Sequence, residues 1–348
     1  MRAAVLEGRQ RMVVREVPAP PLRARCLAVA PRAVGICGTD LHVYLGTMEH
    51  RVAYPAILGH EIAGVVTEVG DGVDGFTPGD AVALDNVWAC GRCPRCIEGQ
   101  LNVCERLQVL GIDCPGGLCE RMVVPARYAY PLPSSIPIHF GAMVELYAVA
   151  VHASRRTRVE TGDTVVILGA GKVGLSLLDV LRRSPARRLV SVDVDPFRLG
   201  IARELGADVV LNPRECDPVA EVRRLTDGRG ADKVLEAVGH PAAVPGRPAP
   251  ASQAFDMVRP AGQITMIGQG EQTDSVYWRE FVLKEATVVT SRLNLGDFPR
   301  AIALLAAGHL HPDKLITHRV PLDAAPRAYA ALAAGEPGMV KVVVELGH

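Results

Sequence analysis

An excess of either charge is the first thing missing. The 348 residues carry 38 lysines and arginines against 38 aspartates and glutamates, so no surplus draws the chain toward nucleic acid or an anionic membrane. Also missing is an uninterrupted apolar run of the ~20 residues that a spanning helix needs. The opening stretch MRAAVLEGRQRMVVREV alternates like strands and lacks the apolar centre of a secretory signal. A cytoplasmic location is therefore expected. Thiols stay reduced there, which argues against a disulfide framework for Cys26, Cys37, Cys90, Cys93, Cys96, Cys104, Cys114, Cys119 and Cys216 and favours metal ligation. Internal repeats are absent too.

What is present suggests an enzyme of about two domains, with nearly half the residues apolar and 34 glycines for tight turns. Residues 1–151 are strand-like and punctuated by turns such as GDGVDGFTPGD, which reads as a mainly β unit. From residue 152 the pattern changes. Six short apolar runs, TVVILG, LVSVD, DVVLN, KVLEAV, QITMIG and ATVVTSR, are separated by helix-length amphipathic segments such as VGLSLLDVLRR. That alternation predicts a parallel, doubly wound α/β sheet over 152–293. The closing stretches ITHRV and MVKVVVEL return to strand character, so residues 294–348 are expected to rejoin the first domain. The proline-rich insertion at 241–250 reads as an extended loop before a helix near Ser252 to Val258.

GAGKVG, Gly169 to Gly174, follows the strand TVVIL and opens a helix at Lys172 and Val173. Gly169 allows the tight turn, Gly171 lets a pyrophosphate approach the backbone, and Gly174 permits close packing of helix on strand. Asp193 closes the next strand, 22 residues after Gly171, where a carboxylate accepts the ribose hydroxyls and repels a 2′-phosphate. NAD is thus expected ahead of NADP, with Arg198 nearby keeping the question open. Cys90, Cys93, Cys96 and Cys104 have the spacing of four thiolates around one structural zinc with no position left for substrate. A nucleic-acid-binding ribbon is the rival reading. In that lobe Arg92, Arg95 and Arg106 face Asp85, Glu98 and Glu105, so it has no basic surplus.

A second cluster lies in CGTDLHVYLG and LGHEIAG. A catalytic zinc needs about three protein ligands and one exchangeable position. Cys37 and His60 offer a thiolate and an imidazole, and Glu61 or a distant carboxylate completes the set. Asp40 is placed to orient His60, while Thr39 and His42 offer steps for passing a proton to solvent.

Together CGTDLH, GHEIAGVVTEVG, the four-cysteine lobe, GAGKVG and the closing strands resemble the zinc-containing medium-chain dehydrogenase family over essentially the whole chain. The resemblance implies a GroES-like catalytic domain made from both chain ends, a Rossmann domain between them, an active site in the interdomain cleft, and two zinc ions with NAD in each subunit. The polyol branch looks nearest. MVELYAVAVHASRR is similar to its segment that supplies a glutamate close to the zinc, here Glu145, although that branch has Glu-Pro where this chain has Glu145-Leu146. SRLNLGDFPRAIALLAAGHLHPDKLITH further resembles bacterial hexonic-acid dehydrogenases, which implies a polyol or sugar-acid substrate met by Arg292 and Asn294. L-threonine 3-dehydrogenase, a simple secondary-alcohol dehydrogenase and a non-catalytic nucleotide sensor are the alternatives. A homotetramer or homodimer is the expected assembly.

Overall fold

The computed structural model describes residues 1–239, 244–270 and 276–347. The chain divides into two compact units, Met1–Ala148 with Leu293–His348, and Val149–Arg292.

In the first unit the strands Ala129–Pro131, Ala81–Leu84, Glu61–Val69, Cys26–Gly35, Lys341–Glu345 and Ile316–Pro321 lie side by side in that order, and Met122–Pro125 also pairs with Cys26–Gly35. A smaller sheet joins Arg11–Glu16, Arg2–Gly8 and Ala56–Ile57. The core is aliphatic: Leu27, Val29, Val34, Ile62, Val66, Val82, Leu84, Val342 and Val344 are all buried together. Burying such β-branched side chains on a pleated surface is what drives these runs into strands.

Register in this sheet creates the feature on which the site is built. Gly35 pairs with Glu61 on one side and with Val343 on the other. The side chains of Glu61 and Lys341 form an ion pair with both groups fully buried. A Cβ placed on Gly35 would overlap Glu61 Oε2 and lie 3.0 Å from Lys341 Nζ. Only glycine leaves room there.

The second unit is a six-stranded parallel sheet, ordered Val209–Leu211, Arg188–Val192, Thr164–Leu168, Ala231–Glu236, Val258–Met266, Thr287–Thr290. All six predicted runs form its strands. Their inward residues Val166, Leu168, Val190, Val192, Val234 and Ile264 make a second core. Two helices begin at Asp-Pro pairs. Asp195 accepts the amide of Phe197 at 2.9 Å and Asp217 that of Val219 at 3.0 Å, while proline occupies the first helical turn, where its missing N–H costs nothing. The helix expected near Ser252 to Val258 runs Pro250–Met257, because Pro250 starts it two residues early. Residues 240–243 of the proline-rich stretch lie outside the described residues. Beyond them, Arg247 fastens the loop by donating to the Pro213 carbonyl at 2.8 Å.

Gly35→Ala is expected to lower the thermal unfolding midpoint clearly, because overpacking costs about 1–3 kcal/mol and here also displaces a buried ion pair. Circular dichroism melts of the two proteins check this; equal midpoints would mean that the pair yields freely.

Candidate active site and metal centres

Cys37 follows the strand Cys26–Gly35 and caps the helix Gly38–Leu45. Three residues on, Asp40 turns back. Its Oδ2 accepts the Cys37 amide at 2.8 Å, its Oδ1 accepts the Gly59 amide at 3.3 Å and lies 3.2 Å from His60 Nδ1. One buried carboxylate thus ties the loop that bears the thiol to the loop that bears the imidazole. With Nδ1 turned to Asp40, Nε2 is the atom left for a metal. Burial pulls the His60 pKa down, yet the charges of Asp40 and Cys37 outweigh it and hold it well above the ordinary value.

Glu61 opens the neighbouring strand. Its Oε2 meets Lys341 Nζ, which also donates to the Ile36 carbonyl at 3.3 Å, and its buried Oε1 has no hydrogen-bond partner among the described residues. The ligand atoms of Cys37, His60 and Glu61 lie within 4.8 Å of one another. Thiolate, imidazole and carboxylate with one position to spare suit a catalytic zinc, and the unpartnered Oε1 is the kind of orphan such an ion would satisfy.

Glu145 stands outside this trio. It lies in the first turn of the helix Val144–Thr157, where Leu146 in place of proline continues the helix, and its Oε1 accepts from Asn86 Nδ2 at 2.8 Å. Burial pushes its carboxyl up to about 7, with His60 opposing and Glu61 adding to the rise. Of the two carboxylates considered from sequence, Glu61 joins the cluster and Glu145 borders it.

Thr39 and His42 are one turn apart on the Gly38–Leu45 helix, both half-buried. His42 Nδ1 lies 3.2 Å from the hydroxyl of exposed Thr47, which leads outward from the cluster. Asn294 is buried and its Nδ2 donates to Asp85 Oδ1 at 3.1 Å, which leaves its Oδ1 and the second Nδ2 hydrogen for a ligand. The two residues, with Arg127 and Tyr130, line a cavity of about 410 Å³. Burial raises the Asp85 carboxyl to about 6. Arg292 is exposed on the other unit.

In the lobe, the sulfurs of Cys93 and Cys96 are 3.5 Å apart, Cys93 and Cys104 3.9 Å, Cys90 and Cys96 4.0 Å. Four sulfurs at about 2.3 Å from one zinc stand about 3.8 Å apart in a tetrahedron. The amides of Cys90 and Arg106 both donate to Cys104 Sγ at 3.3 Å, and the amide of Arg92 is the main cause that brings the Cys90 thiol down to about 6. These are the donors that a thiolate cage needs.

In the second unit Gly169 has φ 95°, Gly171 caps the helix Lys172–Leu181, and a Cβ on Gly174 would overlap the Gly169 carbonyl oxygen, whereas one on Gly171 would meet nothing within 4 Å. The loop is thus tight on its inner side and open at Gly171, where a phosphate can reach the backbone. Asp193 Oδ2 accepts the Ala170 amide at 2.7 Å and Oδ1 the Asp195 amide at 2.9 Å, so the same carboxylate braces the loop. Arg198 lies 3.4 Å from Asp195 Oδ2.

Lys341 and Asn86 were not foreseen. The one available signal was Lys341, a lone charge in the apolar run MVKVVVEL.

Residues 24–134 match the alcohol dehydrogenase GroES-like domain and residues 173–307 the zinc-binding dehydrogenase domain. The chain is 37% identical over 294 residues to 2-dehydro-3-deoxy-L-galactonate 5-dehydrogenase of Pseudoalteromonas atlantica, covering 81% of this chain and 83% of that protein. It is 31% identical over 320 residues to sorbitol dehydrogenase of Bacillus subtilis, covering 91% and 89%. Among solved structures it is similar to an Escherichia coli alcohol dehydrogenase complexed with NADH, with TM-score 0.90, 30% identity and 99% of each chain covered. The chain belongs to the zinc-containing medium-chain alcohol dehydrogenase family, whose members are oxidoreductases.

Cys93→Ser is expected to release one zinc per chain and expose residues 90–104 to protease, while NAD affinity stays near its original value; an intact zinc count would remove the four-thiolate cage. Asp193→Gly is expected to weaken NAD binding by about tenfold or more, through loss of a charged acceptor, and to narrow the preference for NAD over NADP. Titration of both cofactors measures it, and an unaltered ratio would argue against the ribose contact.

Proposed function

We propose that the protein oxidises a secondary alcohol of a polyol or sugar acid, with NAD as hydride acceptor and zinc held by Cys37, His60 and Glu61. The observation that carries this reading is that trio: three donors of zinc-binding type, braced by buried partners and leaving one position for substrate. Zinc bound there supplies the Lewis acidity that makes a substrate hydroxyl easier to deprotonate. The chain's own groups do the rest. Asp40 orients His60, Lys341 fixes Glu61, and Glu145, set by Asn86, borders the reacting hydroxyl with a carboxyl able to hold a proton near neutrality. The Thr39 hydroxyl and the His42 imidazole pass the released proton toward solvent. Backbone amides at Gly171 to Val173 hold the pyrophosphate of NAD, Asp193 takes the ribose hydroxyls, and Arg198, drawn to Asp195, leaves a 2′-phosphate without a dedicated partner.

The names of the galactonate-derived 5-dehydrogenase and of sorbitol dehydrogenase support a polyhydroxylated substrate. Arg292 is the group assigned to a substrate carboxylate, since a guanidinium grips it with two parallel hydrogen bonds. The four-cysteine lobe holds a second, structural zinc. No helix among the described residues is long and apolar enough to cross a membrane, and nine free thiols support a reducing, cytoplasmic setting. Exposed Tyr277, Trp278, Val282 and Leu283, with Val288 on the edge strand, support a homodimer or homotetramer.

The test is metal analysis followed by kinetics with polyols, aldonates, L-threonine and simple alcohols. Two zinc ions per chain and turnover of a polyol or sugar acid with NAD are expected, and Arg292→Ala should raise KM for the acid far more than for its neutral polyol. Turnover of threonine alone, or an equal loss for both substrates, would overturn the substrate assignment.

A further inference from the structure

Tyr329 is fully buried, and its hydroxyl has no hydrogen-bond partner among the described residues. An unpaired buried hydroxyl is a net cost that phenylalanine would avoid at the same volume. Its surroundings suggest why the oxygen is there. The helix Ala325–Ala333, which carries Tyr329, packs against the helix Gly38–Leu45, and the Tyr329 ring centroid lies 5.6 Å from that of Tyr44 at 47°. Tyr44 follows Asp40 by four residues, so both occupy one face of their helix and both are buried. The charges that reach the hydroxyl are, in order, those of Asp40, Cys37 and Glu61; together with burial, the largest cause, they keep it a neutral donor. Helix packing thus sets the buried Tyr329 against the buried face of the helix that carries Asp40. Asp40 already accepts the amides of Cys37 and Gly59, and a carboxylate has lone pairs for further donors.

We propose that Tyr329 is a positioning residue of the Cys37–His60–Glu61 centre, its hydroxyl donating to the Asp40 carboxylate when zinc is held and so locking the brace that orients His60. This rests on the reading that those three residues bind zinc. Removing a direct outer partner of a metal ligand weakens the metal by about 10- to 100-fold; Tyr329 stands one step further out, behind Asp40, so its loss costs less than that.

The test compares the wild-type chain with Tyr329→Phe. Zinc is titrated in competition with a chromophoric chelator, so that both sites are counted, and thermal unfolding is followed with zinc and in excess chelator. Tyr329→Phe is expected to lose affinity at one site by about threefold or more, below the roughly tenfold of a direct partner, to keep the four-cysteine zinc unchanged, and to be no less stable than wild type in chelator. Equal zinc affinity, or an equal loss of stability with and without zinc, overturns the proposal and leaves Tyr329 as core filling. Wild-type protein that binds a single zinc overturns the reading of the centre itself. If the variant fails to fold, wild-type protein labelled at tyrosine Cζ decides: zinc loading should shift a resonance among the seven tyrosines, and no shift in any of them sinks the idea.

Discussion

The ion pair between Glu61 and Lys341 is the constraint on which the catalytic unit hangs. It joins positions 280 residues apart across the glycine at position 35, in a place where neither charge reaches water. Such a pair contributes little net stability, since desolvation offsets most of its attraction, but an unpaired member is costly by about 3–5 kcal/mol. What it confers is register. A slip of one residue in either flanking strand would turn Glu61 or Lys341 to the other face of the sheet and strand its partner. Because Glu61 follows His60 directly, fixing the strand also fixes the imidazole.

Asp40 does the same for the other side of the cluster. A short helix, one backbone amide at each of two loops and one imidazole all converge on its carboxylate. Cys37 and His60 are therefore brought together by hydrogen bonds before any ion arrives, and zinc chemistry asks for such preorganisation in its outer partners. The nucleotide loop repeats the device. Asp193, the residue suited to a ribose, also clamps Ala170 and Asp195, so recognition and scaffold share one side chain.

Much of this was legible in the sequence wherever the determining contacts are local. The glycine loop, the four-cysteine spacing and the six apolar runs each depend on residues within a few positions of one another, and all of these features are seen in the fold. The pairing of Cys37 with His60 was legible because two short motifs sat close together in the chain. Lys341 and Asn86 were not, because they act through partners 280 and 59 residues away, and strand order is not written in any local pattern. The burial of Asn294 escaped for the same reason: its partner, Asp85, is 209 residues distant.

The strand Lys341–Glu345 brings in Lys341 from 280 residues beyond Glu61, on the far side of the whole second unit in sequence. During synthesis the segment 149–292 has all six of its strands available well before Lys341 has left the ribosome, since domains fold as units while the chain emerges. Glu61, in contrast, waits for its counter-charge until that whole segment has been made. The candidate metal centre is thus completed only after the parallel sheet has its strands, and a chain stopped before Lys341 would have that sheet while Glu61 lacked its counter-charge.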